Sequence, residues 1–350
     1  MGLSYMRAVT IIPGSSGSLD LKDIAEPVPG KDAVLVKTRA IGICGTDREL
    51  IDGHYGEAPA GEKHLVLGHE SLGRVIEAPP GYGLSRGDAV VGIVRHPDPA
   101  PCASCAAGEW DMCRNGRYTE RGIKALHGFC SEFFSSEKAF LVKVDPALGL
   151  AAVLLEPASV LAKAWEHIEY IGRRARWSPR RVLVTGAGPV GLMAALMGVQ
   201  RGLEVHVQDH NKEGAKPALV GELRASYHFE PVDAEFDVVI ECTGVPAVIG
   251  KVLAMESANR IVCLTGLSPA KSDQALGVAP FNQAMVLKNQ VVFGTVNANR
   301  RHYEAAADAL ARADRAWLNR VLTRKVPLAN WREAYEKHPG DVKTVLVFED

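Results

Sequence analysis

The stretch RVLVTGAGPVGLMAALMGVQR, residues 181–201, decides the fold of this chain. It begins as a short apolar strand, turns over a glycine-rich segment at 186–191, and continues as an apolar helix from Leu192 to Arg201. The glycines permit a tight turn and a close backbone approach, so that a pyrophosphate can bind at the helix N-terminus. This context predicts a dinucleotide-binding domain rather than a merely glycine-rich turn. The predicted cofactor-binding residues of the turn are Gly186, Gly188, Pro189, Val190 and Gly191.

The second strand of this domain bears on the choice between NAD and NADP. It runs from Glu204 to Val207, and Asp209 follows near the position at which an acid hydrogen-bonds the adenosine ribose hydroxyls of NAD. Asp209 would repel a 2′-phosphate, and no arginine follows it directly. We therefore predict that NAD is preferred and that NADP is tolerated because of His210 and Lys212. Alternatively, Asp209 simply caps the next segment.

Three further apolar stretches, 236–242, 260–264 and 291–293, alternate with helical segments. Strands that are apolar throughout and alternate with helices predict a parallel sheet covered on both faces. This doubly wound domain is predicted to span residues 161–296. Thr243, which follows the first of these stretches, is also predicted to bind the cofactor of this domain.

The rest of the chain, residues 1–160 and 297–350, has a different texture. Short β-type runs such as 33–36 and 73–76 are separated by glycine and proline clusters, which is typical of an irregular, mostly antiparallel β domain. The predicted fold class is therefore α/β, with one irregular β domain and one doubly wound parallel sheet domain. Three C-terminal elements are predicted to pack back onto the β domain: helices at 301–313 and 328–336 and a strand at 344–348.

The composition is that of an ordinary globular protein. Of 350 residues, 47% are hydrophobic and 23% are charged. This length exceeds what one hydrophobic core usually serves, which favours two domains. The formal net charge of −1 argues against a nucleic-acid or anionic-membrane partner, because such partners require a basic surplus. We expect neither.

Targeting and cysteine patterns favour the cytoplasm. Residues 1–10 lack the apolar core of a secretory signal. The longest uncharged stretch, 182–199, is interrupted by glycines and is interpreted as a strand, a turn and a helix rather than a membrane span. Seven cysteines without an export signal indicate reduced thiols, some of which bind metal.

A metal site is predicted from the segments GICGTD, residues 42–47, and GHE, residues 68–70. The thiolate of Cys44 and the imidazole of His69 are ligands that zinc selects. Because His69 and Glu70 are adjacent, both can be ligands only if the chain turns sharply there. Glu70 is therefore either an alternate ligand or a group that orients the site. A buried free cysteine beside a core histidine is the structural alternative.

Glu156 is the predicted third ligand of this zinc. It lies between Leu155 and Pro157, ahead of a helix predicted from about Val160 to Tyr170. A carboxylate in that setting is expected to be partly buried and to need a cation. The alternative is an exposed acid that is stabilised by the helix dipole.

A cluster of three cysteines, Cys102-x2-Cys105-x7-Cys113, lies in a proline- and glycine-rich loop with too little apolar content to pack itself. Thiols at this spacing predict a structural zinc, which would supply the folding energy that the loop lacks. Such a zinc needs four ligands, and Asp98 is the first candidate for the fourth, with His96 the second. The alternative is three unliganded cysteines left by a lost metal site.

These motifs, in this order over essentially the whole chain, resemble the zinc-dependent medium-chain alcohol dehydrogenases. The segments 118–123, 155–157 and 296–299, with sequences YTERGI, LEP and VNAN, are similar to the glucose dehydrogenase branch of that superfamily. The resemblance implies a GroES-like catalytic domain, residues 1–160 completed by 297–350. It also implies that the dinucleotide-binding domain has the Rossmann fold.

The resemblance further implies roles for individual residues. A catalytic zinc is held by Cys44 and His69, with Glu156 or Glu70 and water completing the shell. Thr46 matches a hydroxyl that relays the substrate proton.

Other matching positions bear on the sugar. Glu120, Glu156 and Asn297 match positions that contact sugar hydroxyls, and Asn297 also lies where that family lets a loop meet the nicotinamide. Two positions depart from the family pattern. The first cysteine of the structural zinc site is absent, with Asp98 nearby, and Val160 stands where some relatives have a sugar-binding carboxylate.

The implied reaction is oxidation of an aldose, with glucose as the expected substrate. The anomeric hydroxyl loses its proton through Thr46 and then water or His54, and a hydride passes from C1 to NAD(P), giving a lactone. The cofactors are one catalytic zinc, one structural zinc and NAD, and a homo-oligomer, either a tetramer or a dimer, is expected. One alternative is an alditol or secondary-alcohol dehydrogenase. Another is a non-catalytic NAD-binding protein, which has no need to retain the predicted zinc ligands.

Overall fold

A computed structural model of the chain describes residues 4–268 and 277–348. The chain divides into two compact units. The first unit contains Met1–Ser159 and Asn297–Asp350, and the second contains Val160–Val296. Strands and helices are numbered along the chain.

The N-terminal part of the first unit is built from short strands, most of which pair antiparallel. Two short helices, α1 (Gly45–Ile51) and α2 (Ala103–Ala106), interrupt them. This architecture confirms the irregular β texture predicted from the sequence. The strands are β1 (Tyr5–Ile11), β2 (Asp20–Ala25), β3 (Ala33–Ile43), β4 (Leu65–Val66), β5 (Glu70–Glu77), β6 (Ala89–Gly92), β7 (Arg95–His96), β8 (Thr119–Arg121), β9 (Ala125–Leu126), β10 (Phe133–Glu137) and β11 (Leu141–Lys143).

The long strand β3 organises this unit. It pairs with β5 on one side, and its residues alternate between buried and half-buried over most of its length, as expected for a strand with one face on the core. Its core face contributes Val34, Val36 and Ile41 to an apolar cluster that also contains Phe129 and Phe134. Because β3 ends one residue before Cys44 and α1, a rigid strand positions that cysteine.

Helix α3 (Leu155–Gly172) begins five residues earlier than predicted. Pro157 lies inside the first turn, where a missing backbone N–H breaks no helical hydrogen bond, so the proline does not mark the first residue. A 3-10 segment, Pro146–Leu154, precedes it. By length and composition, the joined stretch 146–172 is the one helix among the described residues that could cross a bilayer, yet 72% of its most apolar window is buried inside the protein.

The second unit contains a parallel sheet in the described residues. Its strands lie in the order β14 (Ser226–His228), β13 (Glu204–Gln208), β12 (Arg181–Thr185), β15 (Val238–Glu241), β16 (Ile261–Leu264) and β17 (Val291–Gly294). Strand Val238–Glu241 is buried at every position, as strands covered on both faces are. The doubly wound parallel sheet is therefore confirmed. The order reverses between β12 and β15, which opens a crevice at the carboxyl ends of these strands. The elements are β12 (Arg181–Thr185), α4 (Pro189–Gln200), β13 (Glu204–Gln208), α5 (Ala215–Glu222), β14 (Ser226–His228), β15 (Val238–Glu241), α6 (Pro246–Ala254), β16 (Ile261–Leu264), α7 (Val278–Leu287) and β17 (Val291–Gly294).

The C-terminal residues return to the first unit and complete its central sheet. Strand β19 (Thr344–Val347) pairs antiparallel with β3, so that Thr344 lies opposite Ile43. The predicted polar helix at 328–336 is a 3-10 segment, Leu328–Tyr335. The other returning elements are α8 (Arg300–Ala311), α9 (Arg315–Val321) and β18 (Arg324–Pro327), which pairs parallel with β19.

The close packing of the glycine turn predicts that a larger residue at Gly191 destabilises the second unit. A Cβ added at Gly191 would lie 1.8 Å from the backbone oxygen of Gly186. Gly191→Ala should therefore lower the free energy of unfolding by about 1–3 kcal/mol, measured by urea denaturation. Gly221→Ala is the control, because it lies in helix α5 with nothing within 4 Å of the added atom. It should be neutral or stabilising by up to about 1 kcal/mol, and equal losses in both variants would contradict the packing explanation.

Candidate functional site

Cys44 is held at the N-terminus of α1. Its backbone N–H donates to Asp47 Oδ2 at 2.8 Å, and Asp47 itself is fully buried. The residue is the N-cap of this helix, with an extended backbone. Strand β3 and this capping contact together fix the direction of the Cys44 side chain.

His69 and Glu70 are brought to Cys44 by a turn at Gly68. The φ angle of Gly68 is +87°, and a Cβ there would lie 2.9 Å from the Cβ of Cys130, so the position requires glycine. The ligand atoms of Cys44, His69 and Glu70 all lie within 4.8 Å of one another. The sharp turn that two adjacent ligands need is therefore present.

Asp47 orients His69. Its Oδ1 lies 3.4 Å from His69 Nδ1, and both side chains are buried. Burial by itself would lower the pKa of His69, but the Asp47 carboxylate raises that pKa well above its usual value. With Nδ1 turned to Asp47, Nε2 is the nitrogen available to a metal. Sequence reasoning missed Asp47, although its place three residues after Cys44 is the position of a capping residue.

Glu70 forms a buried ion pair with Lys343. Lys343 Nζ lies 2.5 Å from Glu70 Oε2 and also donates to the backbone oxygen of Ile43 at 3.1 Å. A Cβ at Gly42 would lie 2.1 Å from the same Glu70 oxygen, so glycine leaves the space that the carboxylate fills. Burial lowers the pKa of Lys343, but the carboxylate of Glu70 raises it more. Lys343 therefore stays charged. Sequence reasoning also missed this residue.

The residues present fit a zinc ion. One cysteine sulfur, one imidazole and one carboxylate converge, with their ligand atoms within 4.8 Å of one another, and zinc binds each of these ligand types. Glu156 lies outside this group of mutually close ligand atoms in the described part of the chain. Burial raises the pKa of Glu156 to about 7, and the nearby Glu70 adds to the shift. Glu156 and Glu70 thus remain the two predicted alternatives for the third ligand.

Glu120, Asn297 and Arg95 form one polar cluster in the first unit. Arg95 Nε and one terminal guanidinium nitrogen donate to Glu120 Oε1 at 3.1 and 2.9 Å, and Asn297 Nδ2 donates to the same oxygen at 2.5 Å. Asn297 has a φ of +58°, a left-handed conformation that asparagine tolerates. The structure thus brings together Glu120 and Asn297, which the sequence analysis identified separately. It also shows that Arg95, which the sequence analysis did not identify, binds the same carboxylate.

The proton-relay candidates lie close to the predicted zinc ligands along the chain. Thr46 is half-buried in the first turn of α1. His54 is exposed to solvent. Burial raises the pKa of Tyr55 to about 12, so this phenol stays protonated.

The three cysteines of the predicted structural zinc site also converge. The sulfur atoms of Cys102, Cys105 and Cys113 lie within 4.8 Å of one another. A hydrogen bond from the backbone N–H of Arg114 helps to lower the pKa of Cys102 to about 6, so this sulfur is a thiolate at neutral pH. Three sulfur ligands at these distances fit a zinc ion.

The two candidates for the fourth ligand lie in other surroundings. Asp98 accepts hydrogen bonds from the backbone of Ala100 and the side chains of Asn115 and Arg117, at 2.8, 2.8 and 3.1 Å. It is not a member of the cysteine group among the residues that the structure describes. The ring of His96 stacks on Phe140 at 3.7 Å. This geometry gives no support to either as the fourth ligand, and the assignment of Asp98 stays a prediction.

The glycine turn of the second unit leaves the N-terminus of α4 open. Gly186 has a φ of +91°, and its N–H donates to the backbone oxygen of Gln208 at 2.7 Å. Gly188 is the N-cap residue and has no side chain to cover the amides of the first turn. A Cβ added there would have no atom within 4 Å. Pro189 and Val190 form the first turn of the helix. Open amides at a helix N-terminus fit the pyrophosphate of a dinucleotide.

Glu241 supports this turn from the next strand. It is buried at the end of β15 and accepts hydrogen bonds from the hydroxyl of Thr185, the N–H and hydroxyl of Thr243, and the N–H of Gly244. A Cβ at Gly186 would lie 3.0 Å from the methyl group of Thr243. Glu241, missed by sequence reasoning, therefore fixes Thr243 beside the glycine turn.

Asp209 lies on the other side of the turn. It accepts a hydrogen bond from the backbone N–H of Ala187 at 2.7 Å, which ties the end of β13 to the glycine segment. His210 is largely exposed, with its Nδ1 3.4 Å from Asp209 Oδ1. The second unit thus holds the predicted cofactor residues Gly186 to Gly191, Asp209, His210 and Thr243 at the carboxyl ends of neighbouring strands.

Two family models and several known proteins match most of this chain. The family described as alcohol dehydrogenase GroES-like domain matches residues 30–146, and the family described as glucose dehydrogenase C-terminus matches residues 149–348. Glucose 1-dehydrogenase of Methanocella arvoryzae is 39% identical over 355 residues, covering 97% of this chain and 99% of the relative. Glucose 1-dehydrogenase of Thermoproteus tenax is 39% identical over 350 residues, with the same two coverages.

Solved structures of dehydrogenases are also similar to this chain. The glucose dehydrogenase of Haloferax mediterranei, determined in complex with NADP, Zn and gluconolactone, matches with a TM-score of 0.91 and 29% identity, covering 99% of this chain and 100% of that one. An alcohol dehydrogenase of Thermotoga maritima matches with a TM-score of 0.83 at 20% identity, covering 99% of this chain and all of that one, which shows the fold alone.

The two metal groups predict a pattern of zinc content. Wild type should hold about two zinc ions per chain by elemental analysis, Cys44→Ala should lose one, and Cys102→Ser should lose the other. Cys263→Ala, at a buried cysteine of the second unit, should keep both. Retention of two ions by Cys44→Ala would rule out the zinc site at Cys44 and His69.

The buried ion pair predicts a stability effect. Lys343→Met leaves Glu70 as an uncompensated buried carboxylate, so the free energy of unfolding of metal-free protein should fall by about 3–5 kcal/mol. Lys143→Met is the control, because Lys143 is itself 54% exposed in its ion pair with Asp88, and the change should stay below about 1 kcal/mol. Adding zinc should reduce the loss in Lys343→Met, because the ion replaces the missing charge. Equal stability of the two variants in denaturation experiments would contradict this account.

Proposed function

This chain belongs to the glucose dehydrogenase family of the zinc-dependent medium-chain alcohol dehydrogenases, and from that premise we propose that it oxidises glucose, or a closely similar aldose, at C1. The C1 hydroxyl loses a proton, C1 loses a hydride to NAD(P), and the product is the aldonolactone. Aldose and NAD(P)⁺ therefore yield lactone, NAD(P)H and one proton.

One observation carries the proposal. The first unit contains both the group of Cys44 sulfur, His69 imidazole and Glu70 carboxylate and the polar cluster of Arg95, Glu120 and Asn297. The first group fits a metal that activates a hydroxyl, and the second fits a polyol. A simple alcohol has no second hydroxyl for Glu120 to bind, so this combination favours a sugar.

The bound groups supply the reactive chemistry, and the chain positions it. Cys44 and His69, with Glu70 or Glu156, would hold a zinc ion that would supply a Lewis acid to lower the pKa of the hydroxyl to be oxidised, and a nicotinamide would supply the hydride acceptor. Asp47 holds the His69 ring with Nε2 available. Lys343 balances the charge of Glu70, which otherwise would be buried alone.

Thr46 and the polar cluster act on the substrate itself. We assign the substrate proton to the Thr46 hydroxyl, which passes it to water or to the exposed His54. In the part of the chain that the structure describes, Glu120 Oε1 accepts all the hydrogen bonds to this carboxylate and Oε2 accepts none. Oε2 is therefore the atom that we assign to a sugar hydroxyl, while Arg95 and Asn297 keep the carboxylate in place.

Two further expectations rest on the same family. We propose that the protein acts in the cytoplasm and assembles as a homo-oligomer. Neither expectation enters the assignment of the reaction.

The reaction and the role of Glu120 are tested together. We expect wild type to reduce NAD(P) with glucose or xylose and far less with sorbitol or ethanol. Glu120→Ala should lower kcat/KM for glucose by about 10- to 100-fold, because a charged hydrogen bond to the sugar is lost. Residual turnover of ethanol should change little, since ethanol has no hydroxyl for Oε2 to bind.

Glu132→Ala is the matched control, because Glu132 also pairs with an arginine, Arg7, but at the surface of the first unit. It should leave both activities near wild type. Turnover of sorbitol or ethanol without turnover of any aldose would contradict the proposal, and so would an equal loss on glucose and ethanol in Glu120→Ala.

A further inference from the structure

The carboxylate of Asp209 has no acceptor site left for a ribose hydroxyl. Its Oδ2 accepts from the backbone N–H of Ala187 at 2.7 Å and from Lys216 Nζ at 2.9 Å. Its Oδ1 accepts from the backbone N–H of Asn211 at 3.1 Å and from Lys216 Nζ at 3.2 Å. A carboxylate offers about four lone-pair sites, and four contacts already occupy them. The simple arrangement, in which this acid binds the adenosine ribose of NAD, is therefore not available unless Lys216 moves.

Lys216 neutralises Asp209. The lysine lies in the first turn of α5, its side chain is 17% exposed, and Nζ also donates to Asn211 Oδ1 at 3.2 Å. Burial raises the pKa of Asp209, but the hydrogen bond from Ala187 and the Lys216 ammonium together lower it below its usual value, so the pair is ionic. An acid with a cation at this distance has little net charge to repel an anion.

The surroundings keep this arrangement in place. The hydroxyl of Tyr227 donates to the backbone oxygen of Asn211, which holds the loop after β13 against β14. A lysine ammonium is a compact charge on a flexible stem, so it can turn towards a phosphate without a change in the backbone. The exposed ring of His210 lies next to the same carboxylate.

We propose that Lys216 admits the 2′-phosphate of NADP to this site, by neutralising Asp209 and by turning its ammonium to the phosphate, so that the protein binds NADP as well as NAD. The inference rests on the dinucleotide site of the proposed function and names the residue that sets its specificity. When NAD is bound, the ammonium stays on Asp209. When NADP is bound, the ammonium turns to lie between Asp209 and the phosphate and donates to both, while the two backbone N–H groups continue to hold Asp209.

This assignment differs from what the sequence suggested. His210 and Lys212 were the residues expected to make NADP tolerable. Lys212 Nζ instead lies over the ring of Phe229, 5.1 Å from its centre, and makes no hydrogen bond to Asp209 in the described residues. Lys216, four residues further along the chain, reaches Asp209 because the intervening loop folds back to start α5.

The experiment measures equilibrium binding of 2′,5′-ADP and 5′-AMP to the zinc-loaded protein by calorimetry. These fragments contain the 2′-phosphate difference but neither nicotinamide nor sugar, so the result does not depend on whether glucose is oxidised. Wild type should bind 2′,5′-ADP at least as tightly as 5′-AMP. Lys216→Met should weaken 2′,5′-ADP by about 10- to 100-fold and 5′-AMP by less than about threefold, because a charged contact is lost and Asp209 is left unpaired.

Three more variants separate specificity from folding. Lys216→Arg keeps the charge and should retain 2′,5′-ADP affinity within about fivefold of wild type. Lys212→Met tests the residue that the sequence favoured and should affect both fragments by less than about threefold. Lys251→Met, in the last turn of α6, is the control for loss of a lysine elsewhere on the unit and should change neither affinity. Thermal unfolding of each variant checks that the second unit is folded.

Several results would overturn the inference. Equal weakening of both fragments by Lys216→Met would make the lysine a structural residue. Selective loss in Lys212→Met instead would move the phosphate site to that residue. A wild type that binds 5′-AMP more than about 100-fold more tightly than 2′,5′-ADP would mean that Asp209 still excludes the phosphate. Binding of neither fragment would overturn the inference together with the dinucleotide site.

Discussion

A carboxylate removed from water needs a cation or several hydrogen-bond donors, and the first unit is arranged around one such carboxylate, that of Glu70. Lys343 meets it only because β19 pairs antiparallel with β3 and brings the C-terminal part of the chain to Ile43. Gly42 leaves the space for the carboxylate oxygen. The predicted zinc ligands therefore depend on the contact of Lys343 with Ile43, two residues that lie 300 positions apart in the sequence.

The same requirement is met in different ways elsewhere. In the second unit, the buried carboxylate of Glu241 accepts no hydrogen bond from an arginine or lysine among the described residues. Its donors are the hydroxyl and amide groups of Thr185, Thr243 and Gly244. Asp209 combines both solutions, with two backbone amides and the ammonium of Lys216. A carboxylate held by amides is fixed, whereas one held by a lysine can change partner. This difference is why we assign a structural role to Glu241 and a specificity role to the Asp209–Lys216 pair.

Sequence patterns predicted the parts of the fold that depend on local geometry. The glycine turn at 186–191 follows from the conformations that only glycine adopts, and the buried strands of the parallel sheet follow from their unbroken apolar runs. The start of α3 was wrong by five residues, because Pro157 is tolerated within a first helical turn and gives no unique boundary. For the site, the sequence identified Cys44, His69 and Glu70, which the structure brings within 4.8 Å of one another.

By itself, the sequence determined the fold class, the two kinds of domain, the family and the residue types that can bind zinc and a dinucleotide. Each of these depends on residues that are close along the chain or on a motif with a set spacing. Only the tertiary structure decided which charges meet: Lys343 with Glu70, Arg95 with Glu120, and Lys216 with Asp209. Electrostatic partners are selected by distance in space, and chain folding brings them together from strands and helices whose own patterns say nothing about the charge opposite them.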